Sequence, residues 1–129
     1  MMPAGRYYVG DLCYVMHPQW DEFCAITIHE HQCLDGEFVL KNGVRFATYG
    51  TQYGDGTYQD LQGRRYGVDA GLIGCIRLED IQDDDQWIEG GQIVEFDHPF
   101  HTRSEDGTIH IGHVTIHTGD EMYDYEEDE

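Results

Sequence analysis

His110, His113 and His117 fall within one apolar segment, residues 108–118, and imidazoles at this density suit a zinc ion. Strict strand alternation would place His113 and His117 on the same face as Ile109 and Ile111. One extra residue at Gly112, a bulge, resets the alternation. Ile109, Ile111, Val114 and Ile116 then face inward, and His110, His113, Thr115 and His117 face outward. Three outward imidazoles need a fourth ligand from elsewhere to complete a tetrahedral site. The competing reading is a solvated or aromatic-packed histidine face. His98 and His101 add two imidazoles just before this segment.

His29, His31 and Cys33 alternate as H-x-H-x-C. An extended segment would point all three one way, whereas in a helix residues two apart diverge.

Carboxylates form the second candidate set. Gly10-Asp11-Leu12-Cys13-Tyr14, Gly54-Asp55-Gly56-Thr57-Tyr58 and Gly119-Asp120-Glu121-Met122-Tyr123 share the spelling Gly-Asp-x-x-Tyr. Asp at such a position accepts a backbone N–H two residues on and fixes a turn. Asp11, Asp55 and Asp69 could also converge around a divalent ion or act as acid and base. Their local sequences suit turns equally well.

Nucleophilic chemistry is poorly supplied. The chain has no G-x-S-x-G, no H-E-x-x-H and no glycine-rich phosphate loop. Its one serine, Ser104, lies in a polar turn. Cys13 stands two residues from Asp11, and acidic surroundings raise a thiol pKa rather than lower it. No motif demands a cofactor, and a divalent metal is the only candidate.

Charge is the extreme property. There are 26 acidic residues against 7 basic ones, and the formal charge of −19 would still be −11 with all eight histidines protonated. Residues 119–129 hold seven of the acids, yet the remainder is acidic too. Such a surface repels phosphate, which argues against binding nucleic acid or anionic membranes directly. Three explanations compete: solubility in a salty milieu, mimicry of nucleic acid toward a basic protein partner, and cation binding. The densest acidic runs place the partner-binding expectation on Asp83, Asp84, Asp85 and Glu89, and on Asp124, Glu126, Glu127 and Asp128.

The elements that must position these groups read as mainly β. Residues 18–29 make the one convincing helix, with Pro18 in its first turn and Trp20, Phe23, Cys24, Thr27 and Ile28 at helical spacing. Asn42-Gly43 and Asp106-Gly107 are hairpin signals. Residues 68–78 read as one buried strand with close-approach glycines. Residues 92–96 read as another strand, and residues 79–86 as an acidic loop. The expectation is an antiparallel barrel or sandwich, a β-rich α+β domain over residues 1–120. An acidic, partly disordered tail follows at 121–129. Four cysteines without C-x-x-C spacing read as free thiols. The absence of an apolar leader or an 18-residue apolar run points to a cytoplasmic protein.

Residues 8–15, 20–24, 51–58 and 66–74 resemble a family of small uncharacterised proteins of bacteria, phages and some large algal viruses. The resemblance is carried by Tyr8-Val9-Gly10-Asp11-Leu12-Cys13-Tyr14-Val15, by Thr51-Gln52-Tyr53-Gly54-Asp55-Gly56-Thr57-Tyr58 and by Tyr66-Gly67-Val68-Asp69-Ala70-Gly71-Leu72-Ile73-Gly74. That family typically has Pro where Leu12 stands. The resemblance brings no activity with it. It implies a phage- or microbe-associated accessory protein in which residues 8–24 and 51–74 pack as one framework.

Together these readings give a small acidic binding protein, a phage-encoded inhibitor of a host nucleic-acid-handling or defence system acting by charge mimicry. Its expected partner is a basic, nucleic-acid-binding host factor, and the oligomeric state is open. The alternative is a metal-binding domain or metal-dependent hydrolase built on the Asp turns and the His-rich strand.

Overall fold

The computed structural model describes residues 2–16, 19–29, 32–51, 56–68, 71–81, 90–105 and 107–118. Strand β1 (Gly5–Gly10) alternates buried side chains to both of its faces, so it is an interior strand. A 3-10 turn (Leu12–Tyr14) and helix α1 (Trp20–Thr27) follow. Then come two-residue strands β2 (Ile28–His29) and β3 (Gln32–Cys33), and strands β4 (Gly36–Val39) and β5 (Arg45–Gly50). The chain continues through β6 (Gly56–Gln59), β7 (Arg65–Val68), β8 (Leu72–Arg77) and a second 3-10 turn (Leu78–Asp80). It closes with β9 (Gln92–Phe96), β10 (Thr102–Glu105), β11 (Thr108–Ile111) and β12 (Val114–His117).

Five strands form the central antiparallel sheet, in the order β4-β5-β8-β1-β9. Period-two alternation sorts its side chains into two cores. Tyr7, Val9, Ala47, Tyr49, Ile73, Cys75, Val94 and Phe96 belong to one cluster, completed by Tyr58, Tyr66 and Val68 of β6–β7 and by Ile109, Ile111, Val114 and Ile116 of β11–β12. Tyr8, Phe46, Leu72 and Ile76 belong to the other, covered by Leu12, Val15, Met16 and Phe23 from the 3-10 turn and α1. Burial of a side chain the size of Phe23 or Ile73 contributes about 1.5–3 kcal/mol. The sheets stack in a sandwich-like way and none closes into a barrel, so the β-rich expectation holds in its sandwich form.

Gly74 allows this packing. A Cβ there would lie 1.9 Å from the Ala47 carbonyl oxygen, so only glycine lets β8 approach β5 this closely. The 3-10 turn also sits on β8, with Leu12 Cδ1 3.0 Å from the same point. The described parts of residues 8–24 and 51–74 therefore share one framework.

Three expectations change. The helix is shorter than residues 18–29, because Ile28 is already extended at φ −115° and ψ 118°. The Thr27 hydroxyl donates back to the Phe23 carbonyl at 2.8 Å and helps end it. Residues 68–78 are not one strand: Val68 ends β7, which pairs with β6, and the sheet strand starts at Leu72. Finally, residues 108–118 are not a bulged strand. Ile111 pairs with Val114, so Gly112 and His113 form a two-residue turn between β11 and β12. Gly112 has φ +59°, which glycine adopts without strain. The inward set and the outward His110, Thr115 and His117 survive for a different reason, since a two-residue turn preserves face pairing across the hairpin, while His113 moves into the turn.

Both hairpin expectations hold at the level of strand pairing. β4 and β5 pair antiparallel around Asn42-Gly43, with Gly43 at φ +92° and the Asn42 side chain accepting the Val44 N–H at 3.1 Å. β10 and β11 pair from Glu105 and Thr108 onward. Asp106 lies outside the described residues.

Candidate functional site

Asp11 is fully buried at the end of β1. Its Oδ1 accepts the Cys13 N–H at 2.9 Å and caps the 3-10 turn. Its carbonyl accepts the Tyr8 hydroxyl at 3.0 Å. The carboxylate thus does what a turn aspartate does. Asp55 and Asp69, its proposed companions, lie outside the described residues.

The three histidines do not converge as one zinc set. His113 occupies the β11–β12 turn, with its ring 5.0 Å from that of Phe96. His110 and His117 stand on the opposite, outer face of the β10–β12 sheet, in β11 and β12. Each is partly exposed while Ile109 and Ile116 are fully buried. Among the described residues no group of three or more His, Cys, Asp or Glu is placed to hold a metal ion. His29 and Cys33 fall on the two strands of the short β2–β3 hairpin rather than along one extended segment. His31 lies outside the described residues.

One heavily used carboxylate among the described residues was not singled out from the sequence. Asp60 accepts the Gln62 N–H at 2.9 Å, the Arg64 N–H at 3.0 Å, Arg64 Nε at 2.9 Å and the Tyr66 hydroxyl at 2.7 Å. Burial alone would raise its pKa, but the four donors prevail and hold it below the usual value of 3.8. The same burial, with Asp60 adjacent, raises that of Tyr66. The spelling Asp60-Leu61-Gln62-Gly63 was the available signal: a turn aspartate followed by a glycine at φ +85°. Asp35 is similarly engaged, accepting the Gly50 N–H at 3.0 Å.

Burial pushes the Cys75 thiol far above its ordinary value, and Cys75 is sealed inside the sheet. Cys13 and Cys24 are half-buried and reduced.

The described residues line several surface grooves. A cleft of about 80 Å³ lies between α1 and the β5–β8 edge, lined chiefly by Trp20, Phe23, Ile28, Leu34 and Leu72. It is apolar, and Ile28 and Leu34 are each 41% exposed. A wider, shallow groove of about 330 Å³ is walled by Glu95, Asp97, His98 and His113 over the stacked rings of Phe96 and Phe100. Cys24 and Asp35 also line the first.

The acidic positions singled out from sequence, Asp83, Asp84, Asp85, Glu89, Asp124, Glu126, Glu127 and Asp128, all lie outside the described residues. All seven basic residues are within them, and several are engaged by acids. Arg64 pairs with Asp60, Arg77 with Glu79 and Arg103 with Glu105. No helix among the described residues is long and apolar enough to cross a membrane.

No protein-family model, curated protein or solved structure matches the chain.

Proposed function

We propose that this chain is a binding protein whose acidic surface engages a basic, nucleic-acid-binding protein partner in place of nucleic acid. The observation that carries the reading is the charge of −19, spread over the body as well as residues 119–129. Three features support it. Asp11, Asp35 and Asp60 are occupied by backbone and side-chain donors, so they are unsuited to acid–base work. Arg64, Arg77 and Arg103 are paired with acids within the fold, so these cations do not build a basic patch against the excess of acids. The resemblance to small phage and microbial proteins fits an accessory role, such as inhibition of a host nucleic-acid-handling or defence system.

The test is affinity capture from a bacterial lysate at several salt concentrations, followed by titration with the recovered protein. A basic nucleic-acid-binding protein should be retained at low salt and released steeply as salt rises, because surface attraction is screened over about 10 Å at 0.1 M. Nucleic acid should compete for it. Replacing Asp83, Asp84, Asp85 and Glu89 by their amides should weaken binding more than replacing Asp124, Glu126, Glu127 and Asp128. Unfolding or aggregation of the chain on desalting would instead assign the charge to salt adaptation and defeat the proposal.

A further inference from the structure

The cleft between α1 and strands β5 and β8 owes its shape to the residues on either side of it. On the helix side, Trp20 stacks on Phe23 with ring centroids 4.4 Å apart and planes 9° apart. Phe23 stacks in turn on Phe46 of β5 at 5.0 Å, and Phe46 on Phe38 of β4 at 5.6 Å. This ladder of rings fixes the indole before any ligand arrives, so that wall of the cleft is preformed. On the sheet side, Gly50 and Gly71 line the floor, and their missing side chains leave the space open. Ile28 and Leu34 carry the apolar lining out to the exposed rim.

One carboxylate meets this apolar lining. Asp35 is exposed and lines the cleft. Its Oδ1 accepts the Gly50 N–H at 3.0 Å, which ties the carboxylate to the floor. A carboxylate offers about four lone-pair sites, so one amide leaves room for further donors. Among the described residues no ion pair engages Asp35, and no lysine or arginine lines the cleft. Apolar and aromatic walls with one fixed polar group are the make-up of a small-ligand site, and the polar group sets which ligand. Here that group is an acceptor for positive charge. Trp20 adds to the preference, because an indole attracts cations more strongly than other rings do.

We propose that this cleft binds a small apolar ammonium compound, a primary amine carried on a short branched alkyl chain. The alkyl group lies between Trp20, Phe23 and Leu72, and the ammonium donates to Asp35. Volume sets the size. The cleft of about 80 Å³ is roughly half of a ~150 Å³ cavity that takes up benzene, which limits the chain to about five carbons. Carboxylate and phosphate compounds of the same size are disfavoured by Asp35 and by the charge of −19. The site stands whether or not the acidic surface meets a protein.

The experiment is a titration of the nitrogen-labelled full chain by nuclear magnetic resonance, read at its two indole N–H signals. Trp20→Phe identifies the signal of Trp20. The probes are isopentylammonium, the neutral isopentyl alcohol, the anionic isovalerate, and methylammonium. Isopentylammonium should move the Trp20 signal saturably and bind about two- to fivefold more tightly than the alcohol, the range of an exposed ion pair. Isovalerate should bind more weakly than the alcohol. Methylammonium, which has the charge without the chain, should leave the signal in place. Asp35→Asn keeps an acceptor for the Gly50 N–H and should bring the amine down to the affinity of the alcohol. Gly50→Ala should weaken both by at least about fivefold, because the added methyl enters the cleft. The fold tolerates it, since a Cβ there meets only Asp35 Oδ1 at 3.8 Å and the Gly71 carbonyl oxygen at 4.0 Å, both ordinary contacts. Equal affinity for amine and alcohol in the parent chain would overturn the proposal. So would unchanged amine binding in Gly50→Ala, an equal response to methylammonium, or no response at all. A response to a peptide of apolar and basic residues, with none to the free amine, would make the cleft a protein-docking surface and overturn it likewise.

Discussion

The Tyr66 hydroxyl donates to Asp60 Oδ2 at 2.7 Å, within a hairpin whose carboxylate also holds Arg64 and two backbone amides. One side chain thereby fixes the β6–β7 turn, anchors an arginine and seats a fully buried tyrosine beneath the β12 strand. Asp60 also bridges directly to Ile116 of that strand.

Removing the phenol oxygen leaves Asp60 with three donors. Tyr66→Phe should destabilise the fold by about 1.5–3 kcal/mol, the worth of a hydrogen bond to a charged group. Asp60→Ala also strands the partly buried Arg64 and should cost about 3–5 kcal/mol. Urea unfolding of both variants measures this, and equal losses would show that the phenol contact dominates.

Acid should act through the same carboxylate. Its pKa is depressed in the folded chain, so its stabilisation is complete above the unfolded value and fades as pH falls through the folded one. The stability difference between the parent and Asp60→Asn should therefore be largest at neutral pH and shrink below about pH 4. Comparing the two chains cancels the relief of self-repulsion that protonation brings to the other acids. A difference that stayed constant down to pH 2 would contradict the assignment.

Gly112 should resist replacement. Alanine at φ +59° costs roughly 1–2 kcal/mol, and its Cβ would fall 2.6 Å from Phe96 Cε1. Gly112→Ala should lower stability by about 2–4 kcal/mol once the ring is displaced. Gly43→Ala, also at positive φ but with nothing within 4 Å of its Cβ, should cost only the backbone part. Thermal melts of the pair separate the two contributions.

Asp11 tests structure against catalysis. Asp11→Ala should destabilise by about 0.5–2 kcal/mol through loss of the cap on the 3-10 turn. That loss should be the same with and without a chelator. A chelator-dependent difference would restore Asp11 as a metal ligand.

Signals confined to a few neighbouring residues were legible in the sequence. Asn42-Gly43 announced its hairpin, and the Ile and Val positions around the histidines announced which face is buried. Gly112 was misread because Gly-His is not a common turn dipeptide and a bulge predicts the same faces. Asp60 escaped notice because its significance depends on Tyr66, which reaches it only once the hairpin closes. The groove of Glu95, Asp97, His98 and His113 was equally hidden, since its walls come from β9 and a turn far along the chain.

The place of β1 has a kinetic consequence. This strand is made before both of its sheet neighbours, β8 and β9, which come from residues 72–96. During synthesis Tyr7, Tyr8 and Val9 must wait without their sheet partners while most of the chain emerges. Contacts so distant in sequence slow folding and prolong the exposure of apolar strand to other chains. A ribosome-bound chain cut before residue 92 would leave β1 with an open edge, and a chaperone that shields extended apolar segments would find its target at Tyr7, Tyr8 and Val9.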